Sequence, residues 1–313
     1  MNRLFSVSAL AQALEQPGLS FNRLKGIVAE RDANSRIKVS RTARFAEAVV
    51  TAIGGERLLI AIPLRAEHID GIAKIAERLH ELSSPILGKI TILHNELRYT
   101  DSLGREHLAD VLVQSLPNGE MLGIDTSLST EQQLLMIEEL KQEMAKASIT
   151  HSNLRPENII IGDDGHLHPL RYYYATCGEG CRDDFSQLRS AAMQSDTNIP
   201  KCDYRSLVKE TEPFEIFPPQ DGLMRVFAAE RYHFINIHSG ERLPGNYLWA
   251  TDFFEDRAVV ESENGVGVIT TSGEFLIPDT YHDIEFDTCQ GIFFARFGEN
   301  VQKYDYCGRA IKQ

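Results

Sequence analysis

Apolar positions in this chain follow two patterns, and the pattern changes after about residue 200. Residues 43–50 and 56–64 are near-continuous apolar runs separated by Gly54-Gly55, which predicts a β-hairpin. Across 66–82, Ile69, Ile72, Ile75, Ala76, Leu79 and Leu82 recur at helical spacing and predict an amphipathic helix. Two more strands are expected at about 88–100 and 107–115, joined near Ser102-Leu103-Gly104. Ser129-Thr130-Glu131-Gln132 has the form of a capping box, and Leu134, Ile137, Leu140, Met144 and Ala147 continue it as a helix. Ile159 to Ile161 read as a short buried strand, Gly162-Asp163-Asp164-Gly165 as a turn, and His166-Leu167-His168 as the start of the returning strand. Nearer the start, 6–15 predict a short helix stopped by Pro17-Gly18, and 24–39 alternate weakly around a turn at Asp32-Ala33-Asn34.

Little helical pattern follows Ser195. Residues 199–221 carry Pro200, Pro213, Pro218 and Pro219 among scattered charges and read as a linker. Beyond it, short aromatic and β-branched runs repeat. Ser239-Gly240, Ser272-Gly273 and Cys307-Gly308 are 33 and 35 residues apart, and each ends an eight-residue unit: 233–240, 266–273 and 301–308. Strands at this period, punctuated by glycine, predict stacked β-units over 222–313. Gly240, Gly273 and Gly308 are expected in turns at positive φ, where a β-carbon is costly.

The stretch with chemical content is His151-Ser152-Asn153-Leu154-Arg155-Pro156-Glu157-Asn158, set between the capped helix and the short strand. It resembles the catalytic loop of the protein kinases, H-R-D-L-x-x-x-N, with Asn153 where the family has its catalytic Asp. An amide cannot accept a proton from a substrate hydroxyl as a carboxylate can. The resemblance implies a two-lobed domain over residues 1–198, with an N-lobe at about 20–116 and a short C-lobe at about 120–198. Thirteen residues after Asn158, where the family holds Mg²⁺ with an Asp, stands Arg171, whose guanidinium repels a cation. Ile60-Ala61-Ile62-Pro63 resembles V-A-I-K with Pro63 at the Lys position, and Glu77 aligns with the helix Glu that pairs with that Lys. Asp184, in Asp183-Asp184-Phe185-Ser186, aligns with the Asp that braces the catalytic loop. Only Gly26 stands where a Gly-rich phosphate loop belongs. Residues 111–122 resemble the hinge between lobes.

The second half resembles another family. Its clearest unit, 266–283, is similar to the WG (KWG) repeat, W-G-Y-I-D-x-x-G-x-x-x-I-P-x-x-Y-D. Gly267, Gly273, Ile277, Pro278, Tyr281 and Asp283 match it, with Val266 in place of the Trp. That resemblance implies a β-rich protein-interaction module without catalytic residues.

Composition narrows the reading. The chain has 313 residues and a formal net charge of −13, which argues against binding a phosphate backbone. No apolar run approaches a membrane span, and no leader-like segment opens the chain, so a cytoplasmic protein is expected. Cys177-Gly178-Glu179-Gly180-Cys181 lies near His166 and His168, but one loosely spaced pair is not a zinc ligand set, so a Gly-rich loop is expected instead.

The expectation is an α+β chain: a truncated, catalytically degraded kinase-like domain, then an all-β repeat domain. Its function is non-catalytic binding or scaffolding of protein partners, without nucleotide, metal or other cofactor. The alternatives are an atypical nucleotide-binding phosphotransferase and a purely structural assembly component. The aligned positions sharpen this. A working kinase site combines one Lys, one Glu and two Asp, a formal charge of about −2 that Mg²⁺ offsets. Here Pro63, Glu77, Asn153 and Arg171 cancel. Arg171 should then form a bidentate pair with a carboxylate, Glu77 first, with Glu96 or Asp184 as substitutes.

Overall fold

The computed structural model describes residues 5–32, 34–42, 44–64, 66–82, 84–100, 104–122, 128–178, 185–195, 204–210, 214–217, 219–254, 256–287, 290–298 and 300–311. It is a strand-rich α+β chain that divides into two compact units, Asn2–Thr197 and Asn198–Gln313.

The first unit is built on a six-stranded antiparallel sheet. Its strands are β1 (Val28–Ala29), β2 (Val39–Arg41), β3 (Phe45–Thr51), β4 (Arg57–Pro63), β5 (Ile90–Thr100) and β6 (Glu106–Ser115). The order is β1-β3-β4-β6-β5, with β2 also pairing on β3. Strands β3 and β4 are buried over nearly their whole length because both faces of the sheet are covered, which explains runs that do not alternate. On one face lies α1 (Val7–Glu15), started by the Ser6 hydroxyl accepting from the Ala9 amide at 3.1 Å and followed by a single turn, α2 (Pro17–Ser20). Its Leu10, Ala13 and Leu14 pack with Phe5 and Phe21 on Ala46, Val50, Ile60, Ile62, Leu97 and Val111.

The other face takes α3 (Asp70–Glu81), entered through a 3₁₀ turn at Ala66–Ile69, with Ile72, Ile75, Ala76 and Leu79 inward. Below it, β7 (Gly119–Met121) leads to α4 (Thr130–Ala147). Both halves of the α4 capping box form: Ser129 Oγ accepts from the Gln132 amide, and Gln132 Oε1 accepts from the Ser129 amide at 2.9 Å. Ile137, Leu140 and Met144 of α4 join the α3 side chains in one core. Ser148, left-handed at φ 53°, ends the helix. The chain continues through β8 (Ile149–Thr150), β9 (Ile159–Gly162), β10 (Leu167–Pro169), β11 (Thr176–Cys177) and α5 (Ser186–Ser195). Strand β9 lies between β7 and β10, and β11 pairs with β8.

The second unit consists of three antiparallel meanders in succession. The first holds β12 (Phe214–Ile216), β13 (Leu223–Ala228) and β14 (Arg231–Asn236), with bridges from β14 to Arg242 and Tyr247 in place of a regular fourth strand. The second is β15 (Trp249–Ala250), β16 (Arg257–Glu261), β17 (Val266–Thr270) and β18 (Phe275–Tyr281). The third is β19 (Asp283–Asp287), β20 (Ile292–Phe297), β21 (Asn300–Asp305) and β22 (Ala310–Ile311). Ala229 and Glu230, both at positive φ, turn β13 into β14, as a two-residue hairpin loop requires.

The stretch 199–221 is not wholly a linker. Phe214–Ile216 forms β12 and pairs with β13. Tyr204, Leu207, Val208, Phe214 and Ile216 cover Met224, Val226, Ala228 and Ile235. The physical reason is that this sheet face would otherwise leave four apolar side chains in water. Among the described residues, no helix is long and apolar enough to cross a membrane.

Candidate functional site

The loop between β8 and β9 is fixed by its own side chains. Ser152 takes a left-handed φ of 61° and turns the chain inward. His151 is fully buried, its Nε2 donates to the Leu170 carbonyl at 2.8 Å, and its ring lies 4.9 Å from that of Tyr172. Leu154 anchors the loop in the main core. Asn158, 4% exposed, donates from Nδ2 to the Asn153 carbonyl at 2.9 Å and so closes the loop on itself. Asn153 is half-buried. Its carbonyl holds Asn158 and also accepts from the Arg155 amide, and its side-chain amide has no hydrogen-bond partner among the described residues.

Arg171 follows β10 in a left-handed conformation, φ 60°. Its Nε donates to Glu47 Oε2 at 2.9 Å and Oε1 at 3.2 Å. Its Nη1 donates to the Glu157 carbonyl at 3.0 Å and to Asn158 Oδ1 at 3.2 Å. Its amide donates to Gln114 Oε1, whose Nε2 donates in turn to the Pro169 carbonyl at 3.0 Å. Glu47 on β3 is 2% exposed and the Arg171 side chain 22%. Burial opposes the guanidinium charge most strongly, but the nearby Glu47 carboxylate and the hydrogen bond to it outweigh burial and hold Arg171 above its ordinary value. Burial, then the same carboxylate, push the neighbouring Tyr173 phenol well up. Arg44 adds a second tie, donating from Nη1 to the Tyr173 carbonyl with its guanidinium 4.4 Å from the Tyr174 ring.

Arg171 therefore has a buried carboxylate partner, but it is none of those the sequence nominates. Glu77 is exposed on α3, opposite the face that carries Ile72, Ile75 and Leu79 into the core. Glu96 is buried at the β5 bulge and accepts from the Arg23 and Leu24 amides at 2.6 and 2.8 Å. Asp184 lies outside the described residues, as do Glu179 to Asp183. The contact also differs from a two-pronged fork, since the single Nε–H reaches both carboxylate oxygens. Pro63 is buried at the end of β4, opposite Phe45. Because Glu47 pairs with Ala61 two positions away, Pro63 and Glu47 share one sheet face.

Glu47 and Gln114 are the residues that sequence reasoning missed. Each had a signal: a lone carboxylate in Phe45-Ala46-Glu47-Ala48-Val49-Val50, and a lone amide after Val111-Leu112-Val113. A polar group inside a fully apolar run must find a buried partner. No protein-family model matches this chain, and no curated protein matches it. The site is accordingly read from its chemistry: acceptors from β3, the 3₁₀ turn at Pro156–Asn158 and β6 converge on one cation supplied by the chain itself.

His166 and His168 turn to carboxylates and a carbonyl, away from Cys177. His168 Nδ1 donates to the Ile86 carbonyl at 3.1 Å and its Nε2 faces Asp164 Oδ1 at 2.9 Å, while His166 Nδ1 faces Glu139 at 2.9 Å. Among the described residues, no group of three or more His, Cys, Asp or Glu could hold a metal ion.

In the second unit, Gly240, Gly273 and Gly308 have φ of 70°, 83° and 74°. Each lies against a segment about thirty residues earlier. A β-carbon at Gly240 would meet Leu207 at 3.7 Å, one at Gly273 would meet Pro244 at 3.1 Å, and one at Gly308 would meet Leu276 Cγ at 2.7 Å and its carbonyl at 2.8 Å. The turn glycines thus mark where one meander docks on the segment before it. Gly267 is needed for a different reason, since a β-carbon there would strike the β18 backbone at 2.8 Å.

Proposed function

We propose that the chain is a non-catalytic binding protein, a degraded kinase-like domain coupled to a WG-like β-repeat module. The observation that carries this reading is the Arg171 guanidinium held between Glu47 and Asn158 Oδ1. In the kinase family, Asp and Asn side chains at the two aligned positions hold Mg²⁺. Here the cation is a side chain and leaves with no product. The order of elements supports the same reading: hairpin, α3, two strands, then α4, the loop and the β9–β10 hairpin. The repeated docking of the turn glycines supports the repeat module.

As a mechanism this is a latch. Arg171 joins the six-stranded sheet to the loop through fixed hydrogen bonds, so the span a metal–nucleotide complex would bridge is bridged internally. The position of the catalytic base holds Asn153, which cannot take a proton from an attacking hydroxyl. The test is ATP turnover and transfer to generic protein substrates by the intact chain with Mg²⁺ or Mn²⁺. The expected result is no activity above buffer. Metal-dependent turnover lost on Asn158→Ala would overturn the proposal in favour of an atypical phosphotransferase.

A further inference from the structure

We infer that the outer face of the third meander is a self-association surface, and that its occupant is the same face of a second copy of this chain. The argument rests on the stacking within the second unit and is independent of how the first unit is read.

Each meander buries one face on what precedes it. The first sets Met224, Val226 and Ala228 on the segment 204–216. The second sets Ala250, Ala258, Val260 and Ile269 against Leu223 and Phe234 of the first. The third sets its Phe286 ring 6.2 Å from Phe254 and Tyr304 hydroxyl on Tyr281, while Phe293 and Ala295 on that same face are 2% and 0% exposed. The opposite face of the second meander carries the cross-strand row Val259–Val268–Ile277, at 8%, 0% and 0% exposure. In the third meander, the matching row is Glu285–Phe294–Lys303–Ile311. Outside their own sheet, the strands of the third meander pack on β17 and β18, which are on its inner side. Phe294 and Ile311 stay half-exposed and Lys303 exposed, with the Lys303 ammonium 5.2 Å from the Phe294 ring.

Two features select a second copy. The far end of the stack is already covered by residues 204–216, so head-to-tail addition has no free surface to meet, and a closed two-fold pair is the arrangement left. The row is also self-complementary. A two-fold axis in the interface along β20 places β19 of one copy over β21 of the other, so Glu285 faces Lys303 twice and Phe294 meets its own copy on the axis. Four strands about 4.8 Å apart and five residues long cover roughly 19 by 17 Å. That is well under a standard interface, so the dimer is weak and reversible.

The test is sedimentation velocity of the intact chain up to its highest soluble concentration, at about 0.15 M salt to screen the −13 charge on each copy. The expected result is a mass that rises with concentration toward that of a dimer and no further. Phe294→Asp should hold the chain at monomer mass, with unchanged Trp249 fluorescence showing that the unit stays folded. Lys303→Glu should weaken association at least tenfold, and Lys303→Glu with Glu285→Lys should restore it. Leu135→Asp, on exposed α4, should leave it unchanged. A wild-type chain monomeric at every concentration would overturn the proposal. So would a dimer that survives Phe294→Asp, a charge swap that fails to restore association, or open-ended growth. None of these substitutions lies in 2–197, so failure here leaves the ATP result of the first unit standing on its own.

Discussion

Arg171→Met removes the cation from a carboxylate that is 2% exposed. Glu47 would then keep a weak hydroxyl contact, Ser40 Oγ at 3.4 Å, in place of a guanidinium at 2.9 Å. Removing one partner of a buried ion pair costs about 3–5 kcal/mol, and the Asn158, Glu157 and Gln114 contacts around Arg171 place this pair in that range. Glu47→Gln should cost less, about 1–3 kcal/mol, because Arg171 is 22% exposed and an amide oxygen still accepts from Nε. The pair Arg171→Met with Glu47→Leu should cost less than Arg171→Met alone, since no buried charge is left behind. Among the described residues, every α-helix lies within 2–197, so circular dichroism at 222 nm follows the first unit. For a unit of that size each kcal/mol moves the midpoint by about 2–4 °C, so Arg171→Met should lower it by roughly 6–20 °C. A change below about 1 kcal/mol, or a double variant as unstable as the two single losses added, would refute the reasoning.

Three further outcomes follow from the same geometry. Restoring Asn153→Asp and Arg171→Asp together should lower the helix-monitored midpoint without producing ATP turnover, because Pro63 still offers no Lys; turnover above background contradicts this. Gly308→Ala should cost more than Gly240→Ala in a denaturant titration followed by Trp249, about 2 or more against about 1 kcal/mol, since only the former meets backbone at 2.8 Å; equal costs would remove the docking role of these turns. His233 is 2% exposed, and burial, aided by Arg242, pushes it down from 6.5 to about 4. Its folded value is depressed, so its contribution to stability is full above pH 6.5 and is lost as pH falls toward 4. The Trp249 midpoint should fall over that window in the wild type and fall less in His233→Phe; equal slopes would show that another group titrates.

Elements set by local chemistry were legible in the sequence. The α4 capping box and the run from Leu134 to Ala147 need only a helix period, and the β3–β4 hairpin only two apolar runs and a Gly pair. What was not legible depends on register between distant segments. That Arg171 takes a carboxylate follows from its place in a buried loop, but which one follows from Glu47 pairing with Ala61 and so sharing a sheet face with Phe45. Spacing along the chain pointed to Glu77, and the helix turns Glu77 to solvent. The prolines of 199–221 suggested a spacer, while Leu207, Val208, Phe214 and Ile216, lying between them, serve as cover for β13. A composition reading weighs the prolines and misses that a sheet face next to them needs covering.

The central claim is that the span a metal–nucleotide complex would bridge is filled by Arg171. Nucleotide titration of the intact chain, followed on the helix transition with and without Mg²⁺ or Mn²⁺, tests it most directly. A nucleotide present at 100 times its dissociation constant would add about 2.7 kcal/mol. The account predicts an unmoved midpoint at millimolar ATP with either metal. A dose-dependent rise that requires the metal would contradict it.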